Sequence, residues 1–328
     1  VREDMPNPTA GDVHVDRLLG NISTAYIQKQ SAFIADKAFP VVPVDNKSDR
    51  YTSYSKEDWL RDEAQERAPG TESAGGSYEI DTSPSFYCRK YAFHKDIDDD
   101  TRSNQDRPFD ADRDGTLFVS QKMLLKRERM WASNYMTNVW GTNLVGVSGT
   151  PGSGEFKQWD QSAATILKNI EDWKELVAST TGYEPNIIVC APDVLATLKV
   201  SSEIKDTIKY TQKGVVTEQL LAELFGVEKF LVPRGVVNTA AKGKSGTFQR
   251  IVSKKVLLCY APEKPSILMP SAGYIFSWKG YFGADRFGAR IKKFRMENVE
   301  SDRIEGEMAF DCKQVAADLG VYAANVIA

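Results

Sequence analysis

Residues Asp110-Ala111-Asp112-Arg113-Asp114-Gly115 carry the alternating carboxylates and sixth-position glycine of a calcium-binding loop. Such a loop closes with a bidentate glutamate at its twelfth position, and that position is Gln121. Pro108 also leaves no entering helix, so these carboxylates are expected at the start of a helix, where they complement the positive end of its dipole. Gly243-Lys244-Ser245 ends like a phosphate-binding loop, but the position of the leading glycine is Asn238. Gly146-Val147-Ser148-Gly149-Thr150 lacks the final glycine of a nucleophile elbow. The only histidines, His14 and His94, have no metal-ligand spacing around them and give no basis for a catalytic triad. Cys88, Cys190, Cys259 and Cys312 form no Cys-x-x-Cys pair and read as reduced thiols. No catalytic residue, metal site or cofactor is therefore expected, and the chain reads as a non-enzyme.

The totals narrow the choice further. Lysine and arginine number 42 against 45 aspartates and glutamates, a net charge of −3, which does not suit a dedicated nucleic-acid binder. With 41% hydrophobic residues over 328 positions, the chain can build a real core and suits two lobes. No apolar run reaches the ~20 residues needed to span a bilayer, and no signal-peptide core opens the chain, so no membrane partner is expected.

Structural elements must position whatever surfaces remain. Pro40 and Pro43 forbid helix and predict an extended arm. Strand-like aromatic stretches at Tyr51, Tyr54 and Trp59, then at Tyr78, Phe86 and Tyr91, flank a polar tip from Arg61 to Gly76. This reads as a long hairpin whose aromatic surface needs a partner, so these six residues are the candidate assembly interface. Asp98 to Pro108 reads as a solvated linker. A spine helix is expected over 114–140, with Leu117, Leu124, Trp131 and Tyr135 on one face and a basic stripe of Lys122, Lys126 and Arg129 on another. Gly141 to Gly154 reads as a linker. An α/β lobe follows: Ile166, Ile170, Trp173 and Val177 on one helix, a strand at Ile187–Ala191, a helix from Pro192, and a helix capped by Thr217 and stopped by Gly226. The chain then returns to strand, with Ile304, Met308, Phe310 and Cys312 inward and Glu305, Glu307, Asp311 and Lys313 on a wet face. The fold class is α+β.

This order of parts resembles the major capsid proteins of tailed double-stranded DNA phages, the Hong Kong ninety-seven capsid fold. Local stretches that carry the resemblance include Phe33-Ile34-Ala35-Asp36-Lys37-Ala38-Phe39-Pro40, Thr181-Gly182-Tyr183-Glu184-Pro185-Asn186, Leu221-Ala222-Glu223-Leu224-Phe225-Gly226-Val227 and Lys255-Val256-Leu257-Leu258-Cys259-Tyr260-Ala261-Pro262. The resemblance implies an N-terminal arm over 1–46, an extended hairpin over 47–97, and a peripheral domain with the spine helix over 98–154. An axial domain over 155–270 and a return to the peripheral sheet over 271–328 complete it. It further implies a virion shell of hexamers and pentamers of this chain, built in the host bacterial cytoplasm with portal and scaffolding proteins and sometimes a decoration protein. The scaffold would be a separate protein or an already removed segment. Packaged DNA would be met non-specifically, with Lys122, Lys126 and Arg129 facing the interior. The alternative is an encapsulin-type nanocompartment shell around an enzyme cargo.

Overall fold

Pro40 and Pro43 hold the chain extended, and Val41–Val44 is a strand at the edge of a sheet, where the missing proline N–H breaks no ladder. The computed structural model describes residues 27–105, 110–209, 216–266, 269–282 and 289–328, so the opening of the expected arm and His14 lie outside the described residues. One helical turn, α1 (Ala35–Ala38), precedes this strand, β1 (Val41–Val44). β2 (Ser48–Arg50) and β3 (Ser53–Tyr54) lead outward to α2 (Lys56–Trp59), and β4 (Ile80–Asp81) and β5 (Ser85–Tyr87) return. β2 pairs antiparallel with β5, and β3 with β4, which makes one long ribbon. Trp59, expected on a strand, ends the α2 turn instead; Glu57 and Asp58 at its start favour the helical dipole.

β6 (Arg89–Asp98) runs into α3 (Asp99–Ser103), so the expected linker begins with a helix. Asp98 caps it, accepting from the Thr101 N–H at 3.0 Å. The spine helix α4 spans Ala111–Tyr135, earlier at both ends than expected. Asp110 sets its start by accepting from the N–H groups of Asp112 and Arg113 at 3.1 Å. Side chains from elsewhere end it: the Trp140 indole donates to the Tyr135 carbonyl, and the Lys255 ammonium to that of Met136, each at 2.8 Å. The buried line of α4 runs through Gly115, Val119, Trp131 and Tyr135. That line winds around the helix rather than keeping one face, and Leu117, expected beside Trp131 and Tyr135, is 43% exposed while Leu124 is only half-buried.

β7 (Thr142–Val147) occupies the first half of the stretch expected as a linker, and β8 (Glu155–Lys157) follows directly after it. Here glycine serves close approach rather than looseness, since a Cβ at Gly146 would lie 2.1 Å from the Asn325 carbonyl oxygen. The α/β lobe continues with α5 (Ile166–Thr181), β9 (Ile187–Cys190), α6 (Pro192–Val200), α7 (Ser202–Ile208), α8 (Glu218–Leu224), β10 (Lys229–Leu231), β11 (Val236–Asn238), β12 (Phe248–Arg250) and β13 (Val256–Cys259). The return comprises β14 (Gly273–Trp278), α9 (Lys279–Phe282), β15 (Ala289–Met296), β16 (Ser301–Gln314) and β17 (Gly320–Ala324). Strand order in the lobe is β10-β9-β13-β17-β7-β8, so β17 leaves the peripheral region and sits inside the α/β sheet. In the other sheet the order is β1-β14-β16-β15, with β6 also paired to β16.

α4 lies across β16 and β6 at a glycine crossing. A Cβ on Gly306 would sit 2.7 Å from Val119 Cγ1, and one on Gly115 would sit 3.1 Å from Ile97 Cδ1. Val119, Ile97 and Ile304 are buried there. The outward face of β16 is not uniformly wet as expected: Glu307 is 1% exposed, held by Lys90 at 2.6 Å, Arg290 at 2.8 Å and Lys292 at 3.2 Å. Burial alone would raise its carboxyl, but the hydrogen bonds from these three cations outweigh it and hold the pKa at about 2. Gly306→Ala should force α4 and β16 apart and destabilise the chain by about 1–3 kcal/mol, the range for overpacking a filled core, read as a lower midpoint in thermal or urea unfolding.

Candidate assembly surfaces

The ribbon divides the six aromatic candidates into two groups. At its root Phe86 is buried and stacks on Phe276 at 4.5 Å, and Tyr51 packs on the same ring at 5.6 Å. Tyr91 lies against Phe310 at 5.3 Å. These three fasten the ribbon to its own sheet, and Phe86 is not available to another chain. Further out, Tyr54, Trp59 and Tyr78 cluster with ring centroids 5.7–6.0 Å apart and remain 36%, 60% and 55% exposed. Leu60 and Ile80 beside them are also exposed, as is every residue from Leu60 to Ile80. Lys56 pairs with Asp318, which ties the ribbon to the body.

Lys122, Lys126 and Arg129 are all exposed on α4. Lys122 lies over the Phe118 ring at 5.1 Å and Lys126 over the Tyr91 ring at 4.8 Å. Lys126 and Tyr91 thus meet, although they stood in separate candidate groups. Among the described residues, no three His, Cys, Asp or Glu side chains are placed to hold a metal ion. All four thiols are buried, which pushes Cys88 up to about 12. Among the described residues no helix is long and apolar enough to cross a membrane.

Two features escaped the sequence reading. One is Glu128, fully buried on α4, whose Oε2 accepts from the N–H groups of Ile34 and Ala35 at 3.0 and 2.9 Å. It caps α1 and fixes the arm to the spine helix, and its neighbour Arg127 reaches Asp36 at 3.6 Å. The legible signal was a carboxylate three and seven positions before Trp131 and Tyr135, on the apolar face. The other is a small finger built from β11 and β12, with Phe248 72% exposed.

Residues 155–289 match the family described as phage major capsid protein E. The chain is 27% identical over 297 residues to the major capsid protein of Burkholderia phage BcepMu, covering 88% of this chain and 91% of that protein. A phage-related protein from Bordetella bronchiseptica RB50 superposes with a TM-score of 0.67 at 20% identity, covering 91% of this chain and 93% of that one. The capsid of cyanophage P-SCSP1u gives 0.58 at 11% identity, over 93% and 90%. The SrpI encapsulin complex of Synechococcus elongatus PCC 7942 gives 0.56 at 11% identity, over 95% and 94%.

Desolvation raises the Glu128 pKa from 4.5 to about 7, against the hydrogen bonds from Ala35 and Ile34 and the charge of Arg127. A raised folded-state pKa means that the unfolded chain ionises first as pH rises. The contribution is therefore fully present below pH 4.5 and is lost as pH climbs to about 7. Wild-type unassembled chain should lose roughly 2–3 kcal/mol relative to Glu128→Gln across that window, measured by urea unfolding at several pH values.

Proposed function

We infer that this chain is a phage major capsid protein, a shell subunit whose work is self-assembly. Its fold is the α+β Hong Kong ninety-seven capsid fold, shared with phage capsids over nearly the whole chain. The encapsulin complex has the same fold, but the family match and the BcepMu relative favour the phage reading. The observation that carries the reading is the exposed ring cluster of Tyr54, Trp59 and Tyr78, which no lobe of its own chain covers. Burying such a ring contributes a few kcal/mol, and repetition around a shell multiplies it.

In this reading the α/β lobe is the axial domain at the centre of hexamers and pentamers. The spine helix and the β16 sheet form the peripheral domain, and the ribbon lies over a neighbouring copy. The role is structural rather than catalytic. Portal and scaffolding proteins, and sometimes a decoration protein, act as partners during assembly in the host bacterial cytoplasm. Lys122, Lys126 and Arg129, exposed together on α4, face the packaged DNA and meet phosphate without regard to sequence.

Replacing 61–76 with a short Gly-Ser turn should leave circular dichroism and the main cooperative melt unchanged, because that tip is exposed throughout. Closed shells, counted by electron microscopy and light scattering, should disappear or become misshapen. Normal capsids from the shortened chain would refute the fastening role. Triple substitution of Lys122, Lys126 and Arg129 to Gln should leave empty shells intact and lower the heat resistance of DNA-filled ones. Equal resistance with and without the stripe would remove DNA as its partner.

A further inference from the structure

From Lys229 to Pro262 the sequence has seven lysines and arginines and no aspartate or glutamate. The outermost part of this stretch is the finger, in which Val236 pairs with Arg250 and Asn238 with Phe248. Its turn is closed by the Lys244 N–H donating to the Ala241 carbonyl at 3.1 Å, with Gly243 at φ +87° in the left-handed region. The Gly243-Lys244-Ser245 sequence is thus a hairpin turn, and every residue from Ala241 to Arg250 is exposed. Phe248 is the most exposed large apolar side chain among the described residues, at 72%. Among the described residues no ion pair is made by Lys242, Lys244 or Arg250.

An exposed phenylalanine among unpaired cations suits a partner that offers apolar surface and negative charge together. A phosphate backbone offers charge alone. The ribbon offers both: between Glu57 and Asp81 it has eight acidic side chains against two arginines, around the Tyr54, Trp59 and Tyr78 cluster. No hydrogen bond or ion pair among the described residues joins finger and ribbon within one chain. The spine-helix stripe matches less well, since Lys122 and Lys126 already lie over rings of their own chain.

We propose that the finger of one copy docks on the ribbon of a second copy, with Phe248 entering the Tyr54–Trp59–Tyr78 cluster and Lys242, Lys244 and Arg250 meeting its carboxylates. The proposal rests on the shell reading and names the surface that the ribbon meets. Finger and ribbon are different patches, so the contact is head-to-tail and repeats from copy to copy, as a closed ring requires.

The test coexpresses two differently tagged full-length chains, one with Phe248→Cys and one with Trp59→Cys; the four native cysteines are buried. Mild oxidation of assembled particles should give mixed disulfide dimers, absent when Val200→Cys, equally exposed on α6, replaces Phe248→Cys. Separately, Lys242→Glu, Lys244→Glu and Arg250→Glu together should cut particle yield at least tenfold. Adding Glu63→Lys, Glu66→Lys and Glu72→Lys should restore it. Wild-type particles that form while the cysteine pair gives no mixed dimer overturn the docking and leave the shell reading standing. Full yield from the reversed finger does the same, and if those particles package less DNA, nucleic acid is the finger's partner. A wild-type chain that never assembles under conditions that support related capsids overturns the shell reading and the docking with it.

Discussion

Everything in the molecule is referred to one aromatic junction. Phe39 from the arm packs on Tyr135 with ring centroids 4.4 Å apart, and Trp131 and Trp140 close around the pair. The Tyr135 hydroxyl donates to the Tyr274 carbonyl at 2.7 Å and so ties the end of the spine helix to the peripheral sheet. On the other side, Trp140 lies where a Cβ on Gly320 would be, 2.3 Å from its ring, so the α/β sheet meets the same cluster. Arm, spine helix and both sheets thus share a single continuous core. A dry cluster of this kind has little room to deform, so the lobes keep a fixed relation and the ribbon is aimed by it.

Charge follows two regimes. Near the body it is compensated: Arg102, Lys293 and Arg295 interlock with Asp99, Asp112 and Asp302 over the start of the spine helix, at distances such as 2.6–3.0 Å. Glu307 is enclosed by three cations for the same reason, since an unpaired buried carboxylate would be costly. On the ribbon the balance is eight carboxylates to two arginines between Glu57 and Asp81, and on the finger Lys242, Lys244 and Arg250 have no acidic neighbour in sequence. The compensated charges thus lie over the body, and the uncompensated ones lie on the two projections that the body does not cover.

The fold was legible where local chemistry and tertiary demand agree. The apolar spacing of Ile166, Ile170, Trp173 and Val177, the Thr217 cap and the proline-bounded β1 all specify their own conformation. The linker expected over 141–154 departs from the structure at 142–147, a strand in which Gly146 is there for close backbone approach, while 148–154 has no regular structure. The spine-helix face was misjudged at Leu117 because the helix buries different sides along its length: Gly115 and Val119 pack on Ile97, Ile304 and Gly306, whereas Trp131 and Tyr135 enter the aromatic core. The spacing of Glu128 from Trp131 and Tyr135 hinted at its burial, but the partners of Glu128 and the Lys90 partner of Glu307 lie on segments far away in sequence. Of the aromatic candidates, residue type identified the set, but only the pairing with Phe276 and Phe310 separates fasteners from outward-facing rings.

The position of β17 has a consequence for how the chain is made. β13 and β7 are neighbours only through β17, which pairs antiparallel with one and parallel with the other. During synthesis the ribbon emerges early, while the α/β sheet keeps a gap at its centre until 320–324 has left the ribosome. Such long-range closure is slow. For that interval the exposed ribbon stands beside an unfinished sheet, and its excess of carboxylates over arginines disfavours contact between two such ribbons. The frame that aims the ribbon is thus completed only when β17 enters the sheet between β13 and β7.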